Sequence, residues 1–390
     1  MRFKTYKMED VLETLIDYRG KTPQKSDNGI MTLSAKSVRD GYIDYSQCYF
    51  ISEDEYKRFM VRGFPRVGDV LMTTEAPLGV TARLDRDDIA LAQRLLTLRG
   101  KAAVLDTGYL YYYLRSPKGQ EKLKERQTGT TVTGIKQAEF RKIEIDLPDI
   151  KSQKKITSVL DAIDEKIRCN KDTNENLYQQ LFALYYYYCD SADGGEVELG
   201  ALCQFQEGYV NPAQTRPEYF DGDVKWLRAV DINESFIIET SRTLTQAGFQ
   251  SAKKSAFLFS PNTIAISKSG TIGRLGIVAD YMCGNRAVIN IAPKDPLLLP
   301  YIYAFLKSHQ KEFPDLAVGS VQKNLYVSLL EPLPVKIFAP DTLSEFCNAG
   351  NAILRTIGNN CRENIRLAQL RDTLLPRLMS GELDLSGMNL

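Results

Sequence analysis

The stretch that most limits what this chain can fold into runs from Gln153 to Tyr188. Stepping through it by four and three gives Ile156, Leu160, Ile163, Ile167, Asn170, Asn174, Leu177, Leu181 and Leu184. A 3.5-residue period held over four heptads predicts a helix packed along its length on a partner helix. The partner lies in the same chain. Moving each position on by 190 gives Phe346, Gly350, Ile353, Ile357, Asn360, Asn364, Leu367, Arg371 and Leu374. The apolar seam recurs, and so does the pair of asparagines at its middle.

In an antiparallel pair the position numbers of facing layers have a constant total. Asn170 opposite Asn364 gives 534 and sets Asn174 opposite Asn360. The same register puts Ile167 on Leu367, Leu177 on Ile357, Leu181 on Ile353 and Leu160 on Leu374. Ile163 on Arg371 is the poor layer, tolerable if the arginine stem packs and its head reaches water. The four asparagines are expected to fix register at some cost in stability. The chain is thus predicted to form an intramolecular antiparallel coiled coil, with a pseudo-twofold axis near residues 172 and 362.

Around these helices the chain repeats itself. YLYYYLRS at 109–116 returns as YIYAFLKS at 301–308, and VLMTT at 70–74 returns as IAISK at 264–268. AQRLLTL at 92–98 returns as NRAVINI at 285–291, with Arg94 matched to Arg286. The segment 129–148 returns as 319–338. Short β-leaning runs (30–33, 69–73, 94–98, 141–147) between glycines and prolines mark each copy as strand-rich, with a helix over 108–124. Asp149 or Ser152 would cap the central helix, which runs to about Tyr188 and so spans roughly 50 Å. Thr342 with Glu345 makes a capping box for the second long helix, which Pro376 and Gly381 end or kink.

The predicted fold is α+β: two similar mixed α/β domains and two long helices, a tandem duplication of about 190 residues. Its parts are 1–148, a first globular domain; 149–189, a central helix; 190–340, a second globular domain; and 341–390, a distal helix and tail.

Composition excludes more than it suggests. A net charge of +1 gives no global sign of a nucleic-acid or membrane partner. Seven cysteines without a CxxC spacing suggest free thiols in a reducing compartment. No run approaches 20 apolar residues, and the charged N-terminus lacks a signal-peptide core, so a soluble, cytoplasmic protein is expected.

Catalysis has little footing. The one histidine, His309, builds no triad or metal site, and suits a surface or helix-end role. No phosphate loop, dinucleotide fingerprint or [DN]PP[YF] methyltransferase motif occurs. Pro148-Asp149 followed by Asp164-x-Lys166 imitates a nuclease pattern, but Asp164 and Lys166 flank seam residues and are expected on a solvated helix face. The tyrosine runs at 109–113 and 185–188 are expected in cores or interfaces rather than stacked on bases.

What remains is binding. The first copy offers Lys21, Lys25, Ser34, Lys36, Thr73, Thr74, Arg94, Thr130, Thr131, Thr133 and Lys136. The second offers Arg216, Arg228, Lys268, Ser269, Arg286, Ser320, Gln322, Lys323 and Asn324. Cations, amides and small hydroxyls are what base-edge and phosphate recognition uses. Two similar readers held apart by a rod suit half-sites on duplex DNA.

LAQLRDTLLPRLMSGELDL at 367–385 and LPDIKSQKKITSVLDAIDEKIRCNKDTNENL at 147–177 resemble the distal and central helices of specificity subunits of type I restriction–modification systems. GDVLMTTEAPLG at 68–79 and ALAQRLLTLRG at 90–100 resemble that family's recognition domains. One departure is Phe338-Ala339-Pro340, where the family usually has a proline-rich leucine motif. The resemblance implies a non-catalytic scaffold reading a bipartite, asymmetric site on double-stranded DNA. It implies two methyltransferase subunits and translocating restriction subunits as partners, with S-adenosylmethionine, Mg²⁺ and ATP bound by those partners and none by this chain. The alternative from another class is a coiled-coil adaptor that grips only proteins. Mutating Arg94 with Arg286 would separate the two. A stand-alone nuclease or methyltransferase is disfavoured by the missing motifs.

Overall fold

The computed structural model describes residues 2–129, 133–191, 195–320 and 322–385. Two compact units divide it: Met1–Glu165 with Leu367–Leu390, and Lys166–Arg366. Each takes part of each long helix.

In the first unit a buried run, Val70–Thr73, sits inside a four-stranded antiparallel sheet. The order is Leu12–Asp17, Leu95–Gly100, Val70–Thr73, Thr81–Arg83. A second sheet sets Ile30–Leu33 between Tyr49–Ile51 and, in parallel, Ala90–Leu91. The second unit repeats this plan. Cys203–Glu207, Val288–Pro293, Thr263–Ser267 and Leu275–Val278 follow the same order, with Phe236–Ile237 added at the edge. Phe220–Leu227 lies between Thr243–Leu244 and, in parallel, Cys283–Gly284.

Four helices matter here: α1 (Thr107–Arg115), α2 (Ile150–Ser191), α3 (Leu299–Ser308) and α4 (Pro340–Ser380). The expected helix over 108–124 breaks at Ser116, whose hydroxyl caps a separate helix, Pro117–Glu125. The tyrosines of α1 are core residues: Tyr109, Tyr111, Tyr112 and Tyr113 are all buried. Tyr185 packs with Tyr301 and Phe346, whereas Tyr186 and Tyr187 are exposed.

Helix α2 starts at Ile150 because Asp149 caps it, its carboxylate accepting from the backbone of Lys151 and Ser152. Its 42 residues make it about 60 Å long. Helix α4 begins earlier than the capping box at Thr342 suggests. Pro340 takes the first turn, where its missing N–H costs nothing, and Leu343 N–H bonds Ala339 O at 2.9 Å. Pro376 lies inside α4, and Gly381, at φ 77°, ends it.

The heptad register is realised. Asn170 Nδ2 donates to Asn364 Oδ1 at 2.9 Å, and Asn360 Nδ2 donates to Asn174 Oδ1 at 2.8 Å. In the first unit Leu160 and Leu374 share one core; in the second, Leu177, Leu181, Ile353 and Ile357 share another. Burying such a side chain contributes about 1.5–3 kcal/mol.

The poor layer is resolved in an unexpected way. The head of Arg371 is not left to water alone: 17% exposed, it donates to Asp164 Oδ1 at 2.8 Å and pairs with the exposed Asp372 at 2.8 Å. Asp164 therefore is not on a solvated face. Tyr112 Oη lies 2.8 Å from Asp161 and 2.9 Å from Asp164, while Arg83 pairs with Asp161 and Arg115 lies near Asp164. This ionic cluster joins the first unit's globular part to its helices.

Candidate nucleic-acid interface

In each unit one corner is built from four loops, and the backbone bonds that hold it recur. Thr73 N–H bonds Val80 O at 2.9 Å, Gly79 N–H bonds Thr73 O at 2.9 Å, and Val80 N–H bonds the Thr73 hydroxyl at 3.0 Å. In the second unit Ser267 N–H bonds Arg274 O at 2.9 Å, Gly273 N–H bonds Ser267 O at 3.0 Å, and Arg274 N–H bonds the Ser267 hydroxyl at 2.8 Å. The hydroxyls themselves donate across the loop, Thr73 to Pro77 O at 2.6 Å and Ser267 to Thr271 O. The left-handed residue at the loop's tip is Ala76 (φ 49°) in one copy and Gly270 (φ 76°) in the other.

Beside each loop stands an antiparallel bridge. Thr128 and Gly134 exchange backbone bonds of 2.7 and 3.0 Å, as Val318 and Asn324 do at 3.0 and 2.9 Å. Glycine follows the first bridge residue in both, Gly129 at φ 107° and Gly319 at φ 140°. A Cβ on Gly319 would stand 2.2 Å from Gln322 O, which no side chain allows. Ile135 N–H then bonds Thr74 O, and Leu325 N–H bonds Lys268 O, each at 2.9 Å. The fourth loop is a 3₁₀ turn, Ala35–Ser37 in one unit and Ala229–Asp231 in the other. Its strand end accepts from the third loop, which leads into Leu95–Gly100 in one unit and Val288–Pro293 in the other: Ala92 N–H bonds Leu33 O at 2.7 Å, and Asn285 N–H bonds Leu227 O at 2.9 Å.

This frame corrects one sequence match. Thr74 N–H bonds Arg94 O, whereas Lys268 N–H bonds Ala287 O, and strand pairing sets Leu95 on Thr73 and Val288 on Ser267. Ala287 is therefore the counterpart of Arg94, and Arg286 that of Gln93. The same offset of 193 follows from matching residues 92–98 to 285–291 position by position, so the pairing of Arg94 with Arg286 is one residue out of step with its own segment.

The frame gathers Ser34, Thr73, Thr74, Arg94, Thr133 and Lys136 in the first unit, and Arg228, Lys268, Ser269, Arg286, Ser320, Gln322, Lys323 and Asn324 in the second. Their availability differs. Thr73 is buried and its hydroxyl is spent on the loop, and Thr74 is buried too. Ser34 accepts and donates within its own turn, Ser37 N–H to Ser34 O at 2.9 Å and Ser34 N–H to the Ser37 hydroxyl at 3.3 Å. Lys268 donates to Glu207 at 2.9 Å and lies over the Tyr326 ring. Asn324 turns its amide back to Gln322 O. Arg94, at φ 69°, pairs with Glu75 at 2.8 Å yet stays half-exposed. Lys36, Thr133, Lys136, Arg286, Ser320, Gln322 and Lys323 are exposed, and Ser269 is half-buried.

Three predicted cations lie away from the frame: Lys21 closes a turn on Tyr18 O, Lys25 lies over Tyr49, and Arg216 bonds the Tyr219 hydroxyl. Thr130 and Thr131 fall outside the described residues. Missed by the sequence were Glu75, which holds Arg94; Arg19, which reaches Ile135 O; and Arg242, which lies 4.1 Å over Phe220. No spacing in the sequence announces these partners.

The rest of the unit surfaces offers little chemistry. His309 caps the end of α3, its Nδ1 3.0 Å from Phe305 O. None of the seven cysteines is in a disulfide. Burial pushes the Cys203 and Cys283 thiols up to about 12 and Cys347 to about 11, which keeps them protonated at neutral pH. Among the described residues no group of three or more His, Cys, Asp or Glu side chains could hold a metal, and no helix is long and apolar enough to cross a membrane.

The profile of the type I restriction modification DNA specificity domain matches twice, at residues 2–179 and 193–340. The chain belongs to this family. The type I restriction enzyme MjaIX specificity subunit of Methanocaldococcus jannaschii is 26% identical over 358 residues, covering 85% of this chain and 81% of that one. The HindI specificity subunit of Haemophilus influenzae is 22% identical over 382 residues, covering 77% and 82%. In fold, the chain is similar to the S subunit of a type I restriction–modification system from M. genitalium, with a TM-score of 0.61 at 17% identity over 97% and 96% of the two chains. The two profile matches fall on the two copies of the loop frame. They identify each copy as a DNA specificity domain, and so decide against the adaptor that grips only proteins.

Proposed function

We propose that this specificity subunit reads one half of a bipartite, asymmetric DNA site with each loop frame, and carries two adenine methyltransferase subunits and the restriction subunits on its long helices. The observation that supports this most directly is the frame itself: one backbone scaffold, used twice, with different side chains on it. Ser34 and Arg228 occupy the same place in the turn, as do Thr74 and Lys268 beside the bridge. Equal scaffolds with unequal side chains suit two half-sites of unequal sequence. The helices between the readers would govern the unread spacer. S-adenosylmethionine, Mg²⁺ and ATP would be held by the partner subunits, and the complex would work in the cytoplasm, where its DNA is.

Co-expression with the methyltransferase subunit, followed by mapping of methylated adenines, tests this reading. A two-part motif with an unread gap is expected. A palindromic or continuous motif would count against one reader per half-site, and no DNA methylation would count against the whole assignment.

A further inference from the structure

The two turns that share one backbone differ most at their first residue. In the second unit this is Arg228, and everything around it fixes its guanidinium before any ligand arrives. The buried Asp231 accepts the Arg228 backbone N–H at 2.9 Å and the Ser241 backbone N–H at 2.9 Å. The Ser241 hydroxyl also bonds Asp231, and in turn accepts from Arg228 Nη2 at 2.5 Å. Arg228 Nε stands 3.7 Å from Asp231 Oδ2, buried and without a hydrogen bond. The guanidinium carbon lies 5.5 Å from the centroid of the Trp226 ring, whose own N–H is anchored on Val210 O at 2.8 Å. One edge of the guanidinium is therefore held, and the side chain is 26% exposed. Nη1 has no hydrogen-bond partner among the described residues, so the Nη1–Nη2 edge is the one left for a ligand.

Orientation adds nothing to charge neutralisation alone, for which a lysine would serve; it matters for a bidentate contact. A planar fork held in one orientation is what bidentate recognition of guanine O6 and N7 requires. Asp231 adds a second constraint, because a carboxylate beside the Nε edge offsets the cation's charge and so disfavours contact by charge alone. Ser34, the counterpart in the first unit, has no such fork. We infer that Arg228 is the guanine-reading residue of the second half-site, and that the first half-site has no equivalent reader at this position.

This inference rests on the DNA-reading role proposed above, and the test separates the two. The complex with the methyltransferase subunit would be assembled with wild-type chain, Arg228→Lys, Arg228→Ala and Ser241→Ala, and methylation mapped for each. Wild type giving no two-part motif would sink the DNA-reading role, and this inference with it. Given a wild-type motif, Arg228→Lys and Arg228→Ala are expected to relax one G·C position in one half only, by roughly 5- to 150-fold in discrimination. Ser241→Ala, which keeps the charge but releases the edge, is expected to relax the same position less. An unchanged motif in Arg228→Lys with uniformly slower methylation would make Arg228 a phosphate contact and overturn the inference. So would relaxation spread over both halves, or an unchanged motif in Arg228→Ala with wild-type thermal stability.

Discussion

Asn170 and Asn364 face each other across the coiled coil, amide to amide at 2.9 Å, in the second unit's part of the two helices. Four residues along, Asn174 and Asn360 repeat the contact at 2.8 Å. Asn170 also donates to Glu363 at 2.8 Å. The amides pair with one another in this register; a slip of one heptad would set Asn174, Asn360 and Asn364 against leucine or isoleucine, and Asn170 against Ile357 or Arg371.

Replacing Asn170 alone by leucine should destabilise the chain by about 1–3 kcal/mol, because Asn364 loses its partner in a largely dry seam. Replacing both by leucine should raise the melting temperature above wild type while weakening the choice of register. Thermal melts check the first point. Spin-label distances between helix positions check the second; a single sharp distance in the double variant would mean that the asparagines do not select register.

Asp164→Asn should loosen the first unit's attachment to its helices. The change leaves Arg371 and Arg115 short of countercharge in a mostly buried cluster, for a loss of about 2 kcal/mol once partial exposure is allowed for. Arg371→Leu, which restores the apolar layer opposite Ile163 but strands Asp164, should cost less. Denaturant unfolding of the three chains gives the order.

Acid should act on the second unit through Asp280. The hydrogen bond from Arg362, with help from Lys225, holds the Asp280 carboxyl below its ordinary range. A carboxyl whose native value is lowered contributes stability that is complete above the unfolded value of about 3.9, and that is lost as pH falls through the lowered native value. Asp280→Asn should therefore reduce stability at pH 7 and flatten its decline below about pH 4. Equal acid slopes for the two chains would show that this pair does not drive the loss.

Glu75 should act as a restraint on Arg94, whose guanidinium it meets at 2.8 Å. Glu75→Gln should strengthen non-specific DNA binding by the complex and steepen its salt dependence by about one counterion, because a neutralised cation becomes free for phosphate. Fluorescence anisotropy on a random duplex over a salt series measures it. An unchanged slope would place Arg94 away from the backbone path.

The long helices were legible because a heptad seam is a local pattern, and the doubled asparagines carry the register with them. The repeated strands were legible for a similar reason, since order and spacing survive duplication. The match of Arg94 to Arg286 failed because it followed residue identity against the segment's own spacing, which sets 94 on 287. Backbone hydrogen bonds count positions without regard to side chain, and they set Ala287 in that place.

By itself, then, the sequence determined a duplicated α+β chain with two seamed helices and polar loops at matching points. Those features follow from periodicity and order along the chain. Only the tertiary structure decided that Arg371 meets Asp164 and is not left to water alone, that the Thr73 hydroxyl is spent inside its loop, and that Arg228 is pinned over Trp226. Each of these depends on partners brought together by folding, and no spacing rule carries the direction in which a side chain finds its mate.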